Sequence, residues 1–409
     1  MVSSFYLTAS QPGRKIKIGL IGAGWYGMVD ITAALKTGSV EVIAICDVDS
    51  AHLNIAADEV VKLQGTRPKT FKYYRELLDL KELEAVFIGT PPHWHALQFI
   101  AACEKGLDIY CEKPLAYDIR EGMAMVRAAK MAGNIVQIGF QRRQSLAFMK
   151  ARDLIENGTI GKVHGITAQI HYLPGPQDTT LQQPPASLDW EEWCGPAPKL
   201  DYRPNIGHKA WRLEKVYGNG HLVDWGIHHI DIIRKIMDES MPTEFYTRGG
   251  IFELTNKITT PDTLTAQMAF SKAPVLWQHR LWGSGDPVNE FNNGIFFHGE
   301  KATLFAEDSK IILFNAGKEG KREEFSIQTE GMQDKHVENF LNAVKNKDKS
   351  LIACTPEDAF RSTATVQLAM ISYYTGSLVK WDPLQMDIPD NMPASKLMSR
   401  SYRANYHHP

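Results

Sequence analysis

Residues 15–27 read KIKIGLIGAGWYG: an alternating apolar run that breaks into a loop with glycines at 22, 24 and 27, followed by a helical pattern. A strand, glycine loop and helix in that order place bare backbone amides at the positive end of a helix, where a pyrophosphate is held. Gly22 permits the tight turn, Gly24 lets phosphates approach, and Gly27 lets the helix pack against the strand. Glycine-rich turns are common, so the loop needs its context. Asp47, which ends the next apolar run, VEVIAICD, supplies it. A carboxylate there accepts hydrogen bonds from the adenosine ribose and repels a 2′-phosphate, so the cofactor expected is NAD rather than NADP.

Outward from that loop, strand-like and helical runs alternate to about residue 140. The strands are VEVIAIC (40–46), EAVFIG (84–89), DIYC (108–111) and NIVQIGF (134–140). Helical patterns fall near 50–64, in HALQFIAACEKG with its stop at Gly106, and in EGMAMVRAAKMAG. Continuous apolar strands alternating with helices argue for a doubly wound parallel sheet covered on both faces. Ligands of such sheets bind outside the carboxyl ends of the strands. The loops GTPPHWH (89–95), CEKPLAY (111–117) and GFQRRQ (139–144) therefore face a cofactor cleft.

After about residue 143 the texture changes. A helix, SLAFMKARDLIENG, leads into the strand pattern KVHGITAQIHYL (162–173), then an irregular stretch to about 217. A helix near 221–238 precedes a series of strands, TEFYTRGGIFEL, TLTAQMAFS, PVLWQHRLWG, GIFFHG and ATLFAED. These predict an α+β half on a large, open, mostly antiparallel sheet, whose free face favours a homodimer or homotetramer. Two late helices, 333–347 and 356–375, are expected on the sheet or the domain junction. The divisions expected are an N-terminal arm (1–14), a dinucleotide-binding domain (15–142), a substrate and oligomerisation domain (143–380) and a C-terminal arm (381–409).

Composition excludes other classes. The chain of 409 residues is 44% hydrophobic and 22% charged, with a formal net charge of −2. That is no footprint for nucleic acid or an anionic membrane. No apolar run approaches the ~20 residues of a membrane span. The first residues lack the basic start and apolar core of a secretory signal. Five scattered cysteines without C-x-x-C spacing favour a reducing, cytoplasmic setting over disulfides or zinc.

Glu112-Lys113-Pro114 follows a strand end at the cleft. A lysine there can donate to a substrate oxygen beside a nicotinamide, with Pro114 fixing the turn through a Lys–Pro bond that tolerates the cis form. On spacing alone, a charged residue in a solvated turn fits as well. Asp224 and His228, in HLVDWGIHHID, lie four apart on one face of a predicted helix. An imidazole accepts a hydroxyl proton near neutral pH, and a carboxylate one turn away orients it or grips a substrate hydroxyl. A helix-capping aspartate beside a packed histidine is the competing reading. His221, Asp224, His228 and His229 lack H-E-x-x-H spacing, and hydride transfer to nicotinamide needs no metal, so none is expected.

These landmarks, GLIGAGWYG, CDVD, GTPPHWH, CEKP, GFQRR and DWGIHHID, occur in an order that resembles the glucose–fructose oxidoreductase, inositol dehydrogenase and MocA family over almost the full length. The resemblance implies a Rossmann domain followed by an α/β domain with an open sheet. It implies a lysine–aspartate–histidine site, Lys113, Asp224 and His228, acting on a secondary hydroxyl of a sugar, glycoside or cyclitol. Trp25, Tyr26, Thr90, Pro91 and Glu112 are expected around the cofactor. His95, Gln141 and Arg142 follow strand ends, which places them for the nicotinamide ribose or the substrate, with a satisfied loop group as the competing reading; Tyr172, Trp211, Arg212 and His221 are expected to line a sugar pocket. Trp211 serves equally well as an ordinary buried aromatic. The segments EWCGPAP (192–198), KAWR (209–212) and LMSRSYR (397–403) resemble a sugar-directed subgroup with larger inserts. Asn219, between Gly218 and Gly220, stands where a small residue is expected, either for a polar contact or for a left-handed turn. The same family includes NAD-dependent glycosidases, which would use Tyr172 or His221 as a further acid or base, and binding regulators without turnover.

Overall fold

The alternation of the first 140 residues folds as one parallel sheet of six strands: β1 (Ile16–Ile21), β2 (Val40–Cys46), β3 (Lys69–Phe71), β4 (Ala85–Ile88), β5 (Asp108–Glu112) and β6 (Val136–Gly139). In this computed structural model, which describes residues 13–175, 177–315, 320–329 and 331–409, their order is β3-β2-β1-β4-β5-β6. The order reverses at β1, so the crevice between the ends of β1 and β4 is the switch point at which such sheets bind ligands. Most of the expected N-terminal arm lies outside the described residues.

Four long helices cover this sheet: α1 (Trp25–Lys36), α2 (Ser50–Gln64), α4 (Pro92–Glu104) and α5 (Ile119–Ala132), with the short α3 (Tyr74–Leu78) between α2 and α4. The starts and stops have local causes. Asp49 caps α2 and Asp118 caps α5, each accepting a backbone amide, while Gly65 and Gly133 end those helices in the left-handed conformation. Helix α4 starts three residues before the expected HALQFIAACEKG run, because Pro92 suits a first turn that needs no amide donor. β3 and α3, three and five residues long, are too short to leave a periodic trace.

Beyond α6 (Leu146–Glu156) the chain builds a sheet of nine strands. Its members are β7 (Val163–Ile170), β8 (Glu244–Gly250), β9 (Thr263–Ala269), β10 (Pro274–Arg280), β11 (Asn293–Gly299), β12 (Ala302–Ala306), β13 (Lys310–Asn315), β14 (Arg322–Ser326) and β15 (Val379–Lys380). They run in the order β14-β13-β12-β11-β7-β10-β9-β8-β15. Only β7 and β10 pair in parallel; the other pairs are antiparallel. β8 stops at Gly250, short of the run TEFYTRGGIFEL. Just beyond it the Asp262 carboxylate gathers the amides of Phe252, Glu253 and Leu254 into a turn. β9 alternates buried and exposed residues, so one face packs inward and the other is open.

Between β7 and β8 lie α7 (Trp190–Cys194), α8 (Pro204–Gly207) and α9 (Ile227–Met237). The stretch expected to be irregular has its own small core of Trp190, Trp193, Tyr202 and Tyr217, with Trp190 and Trp193 stacked at 4.7 Å. Two further helices, α10 (Met332–Asn346) and α11 (Pro356–Thr375), return from the second half. α10 packs on α1, and α11 wedges between α5, α9 and β8, so it seals the junction of the two sheets. The tail, with α12 (Met392–Lys396), folds back on its own chain: Arg400 pairs with Glu121 at 2.8 Å. All five cysteines are free and buried. No described helix is long and apolar enough to cross a membrane.

Candidate active site

A cleft of about 920 Å³ runs along the carboxyl ends of β1, β2 and β4 and under the segment 207–212. At its first end the glycine loop has the division of labour expected from its spacing. Gly22 has φ +90°, and a Cβ there would meet the Thr90 amide at 2.7 Å. A Cβ on Gly27 would stand 2.0 Å from the Gly22 carbonyl, so α1 approaches the strand only through a glycine. A Cβ on Gly24 would meet nothing within 4 Å, and no side chain caps α1. The first amides of α1 are therefore open to an anion from the cleft. Asp47 lines the same end, with one oxygen 2.7 Å from the Ala23 amide and the other 2.8 Å from the Asp49 amide. Burial raises its pKa, opposed by those two bonds.

Trp25, Thr90 and Pro91 line the cleft. Tyr26 lines it too, and its hydroxyl accepts from Gln141 and lies 3.3 Å from Gln333. Behind them is a buried polar group. Asp30 is held by Gln333 at 2.7 Å, and single oxygens of Asp30, Glu112 and Gln141 have no partner. Burial raises the carboxyls of both Asp30 and Glu112; the Glu112 charge further opposes ionisation of Asp30, while Lys113 partly offsets the rise at Glu112. Glu112 thus sits behind the cleft with its neutral form favoured. His95 is displaced from its expected role. Its ring lies fully buried, with Nδ1 2.8 Å from the Pro114 carbonyl and Nε2 2.7 Å from that of Thr90. It ties the β4–α4 loop to the Lys113–Pro114 turn, whose peptide bond is cis.

That turn aims Lys113 at the second half. Its Nζ donates to the Asp224 carbonyl at 2.7 Å and to the Asp224 carboxylate at 2.9 Å. The other Asp224 oxygen faces Arg212 Nε at 3.2 Å. Burial opposes the Asp224 charge, but Lys113 and Arg212 outweigh it and hold its pKa below the ordinary value. Asp224 lies in a widened π turn, Leu222–Gly226, which precedes α9. The α-helical alignment with His228 is thereby lost, and no hydrogen bond joins the two side chains among the described residues. Asp224 therefore orients Lys113 and Arg212, not His228. His228 is 5% exposed and its Nδ1 has no partner. Burial, with Lys113 and Arg142 adding positive charge, pushes its pKa well below 6.5, so the ring is a neutral base.

The other substrate-side candidates surround this group. Arg142 pairs with Asp308 at 3.1 Å and lies over Trp225 at 5.7 Å. Trp211 and Arg212 line the cleft, with the guanidinium 4.3 Å over the indole. His221 contacts the Ile170 carbonyl at 3.1 Å and packs on Tyr172 at 4.7 Å. Burial lowers His221 to about 4, and burial and Asp224 raise Tyr172 to about 12. Asn219 combines both anticipated roles, with φ +60° and its oxygen accepting from Tyr374 at 2.8 Å.

Several residues escaped the sequence reading. Trp94, Trp193, Trp225 and Tyr406 also line the cleft, with Tyr406 edge-on to Trp94 at 5.4 Å. Nothing in the spacing links a tail tyrosine to a helix starting at residue 92. Asp231 and Arg143, in the expected landmarks, form a buried two-point ion pair at 2.5 and 2.7 Å, remote from any proton acceptor role.

The fold and cleft have known counterparts. Residues 16–140 match the oxidoreductase family's NAD-binding Rossmann fold, and residues 152–381 match its C-terminal α/β domain. The uncharacterized oxidoreductase YrbE of Bacillus subtilis is 26% identical over 237 residues, 58% of each chain. Myo-inositol 2-dehydrogenase of Thermotoga maritima is 24% identical over 81% of this chain and 88% of its own. The structure of a levoglucosan dehydrogenase in complex with NADH and levoglucosan superposes with a TM-score of 0.68 at 17% identity, covering 90% of this chain and 99% of that one. With both of its halves matched in order, the chain belongs to the GFO/IDH/MocA oxidoreductase family.

Proposed function

We propose that the protein is an NAD-dependent dehydrogenase acting on a secondary hydroxyl of a sugar, glycoside or cyclitol. The observation that carries this reading is the meeting of Lys113, Asp224 and a neutral, buried His228 beside a cleft with open helix amides. A pure binding protein has no use for a buried proton acceptor. The relative named for inositol supports a polyhydroxylated ring as substrate.

The residues present fit NAD. The first amides of α1, left uncovered at Gly24, would hold the pyrophosphate, and Asp47 would take the adenosine ribose. Bound NAD supplies a hydride acceptor. His228 takes the hydroxyl proton as the hydride leaves the same carbon, so the alcohol becomes a ketone and the imidazole carries the proton. Lys113 donates to the developing alkoxide and stabilises its charge in a site shielded from water. Asp224 holds Lys113 in place, and Arg212, on the other carboxylate oxygen, fixes Asp224. Arg142 and Trp225 border the space on the His228 side. The open face of the nine-stranded sheet would be covered in a homo-oligomer, and the setting is cytoplasmic.

His228→Ala and Lys113→Ala test this reading. Each should lower kcat/KM by ~10²–10⁴ on a panel of sugars and cyclitols while retaining dinucleotide affinity by fluorescence titration. Wild-type turnover in either variant removes the assignment. Release of an aglycone without NADH accumulation would favour transient oxidation and elimination instead. Binding without either product would favour a regulator.

A further inference from the structure

At the ribose-facing end of the cleft a second cluster of titratable side chains plays no part in the proposed reaction. Asp49 follows Asp47 by two residues and is buried, His52 lies in the first turn of α2, and His208 follows α8. One ligand-type atom from each of the three lies within 4.8 Å of the other two. His208 Nε2 and the Asp49 carboxylate are 3.0 Å apart. The imidazoles of His52 and His208 lie face to face, ring centroids 4.0 Å apart and tilted by 33°.

We propose that Asp49, His52 and His208 form a binding site for a divalent transition cation of the zinc class. Two imidazoles and one carboxylate match that ion's preference for nitrogen and oxygen donors, with water as the fourth ligand. A tetrahedral ion with bonds of about 2.0–2.1 Å spaces its ligands about 3.4 Å apart. The Asp49–His208 pair already stands close to that spacing, so the site closes by rotation of the His52 side chain. The free geometry also leaves one Asp49 oxygen on its helix-capping bond to Ala51 at 2.9 Å, so ligation by the other does not uncap α2. The site joins separate parts of the chain: Asp49 and His52 come from the dinucleotide-binding half, and His208 from the segment over the cleft. A bound cation therefore clips that segment to the β2–α2 turn beside Asp47. It has no role in hydride transfer, and the inference holds whatever the substrate.

Cobalt(II) titration of the full chain, followed by visible absorption, tests this. Wild type should show a saturable band at one ion per chain, displaced by zinc. His52→Ala and His208→Ala should each weaken it at least tenfold, and zinc should raise the melting temperature of wild type but not of His208→Ala. His408→Ala, in the other described group of ligand-type side chains, Asp118, Glu121 and His408, should change nothing. No saturable band in wild type, a band indifferent to both His52→Ala and His208→Ala, or one lost in His408→Ala would overturn the proposal.

Discussion

The two ends of the cleft are built by different means. The phosphate end is backbone: Gly22, Gly24 and Gly27 act through what they lack, and all their partners lie in β1, α1, β2 or the turn at Gly89 and Thr90. The proposed reacting group beside it is side chain: Lys113, Arg142, Tyr172, Asp224 and His228, with Arg212 on the cleft wall, arrive from separate elements near the junction that α11 seals. A local motif tolerates distant change. A constellation assembled across a junction fails when the junction shifts.

The sharpest way to break this contrast is Asp231→Ala. Asp231 shares a motif with Asp224 and His228, yet its two-point partner is Arg143, and both side chains are no more than 5% exposed. Removing one member of a buried pair costs roughly 3–5 kcal/mol, toward the lower end here because Asp358 still faces Arg143 at 2.7 Å. Chemical denaturation should show that loss, whereas His228→Ala should melt close to wild type and lose only turnover.

Gly27→Ala and Gly24→Ala probe the other end. The first forces a methyl onto the Gly22 carbonyl and should destabilise by roughly 1–3 kcal/mol as an overpacked contact. The second has open space and should leave the melting temperature unchanged while weakening NAD binding. Equal melting of the two variants would refute the division of labour within the loop.

Asp47→Ala should lower the preference for NAD over NADP by about tenfold, or about 1.4 kcal/mol, read from the ratio of the two Kd values. Glu112→Gln acts through pH rather than through a lost contact. Burial raises the Glu112 pKa in the folded chain, so between the ordinary value of 4.5 and that raised value the unfolded chain has released a proton that the folded chain retains. Wild-type stability therefore falls as pH rises through that window. Glu112→Gln should flatten that slope, gaining most on wild type at the alkaline end. Parallel melting curves across pH would show that Glu112 is ionised when folded.

Legibility followed the same division. Strand and helix periods placed the long elements of the parallel sheet, because each is a local pattern of burial. β3 and α3 were too short to register. The residues proposed to react, Lys113, Asp224 and His228, were visible as types in a family-like order. Their pairing was not, because the π turn at Leu222–Gly226 changes which side chains share a face. His95 was assigned to the cofactor, since it follows a strand end, but two backbone carbonyls claim its ring. Tyr406 had no signal, because a tail that docks by a few contacts carries no period.

By itself the sequence determined a dinucleotide fold with an acid, Asp47, at the end of its second strand, since glycine geometry and strand alternation act over a few residues. The tertiary structure decided which charges meet. Asp224 pairs with Lys113 and Arg212, His228 stays neutral, and Asp231 serves stability, because burial and charge proximity depend on elements a hundred or more residues apart.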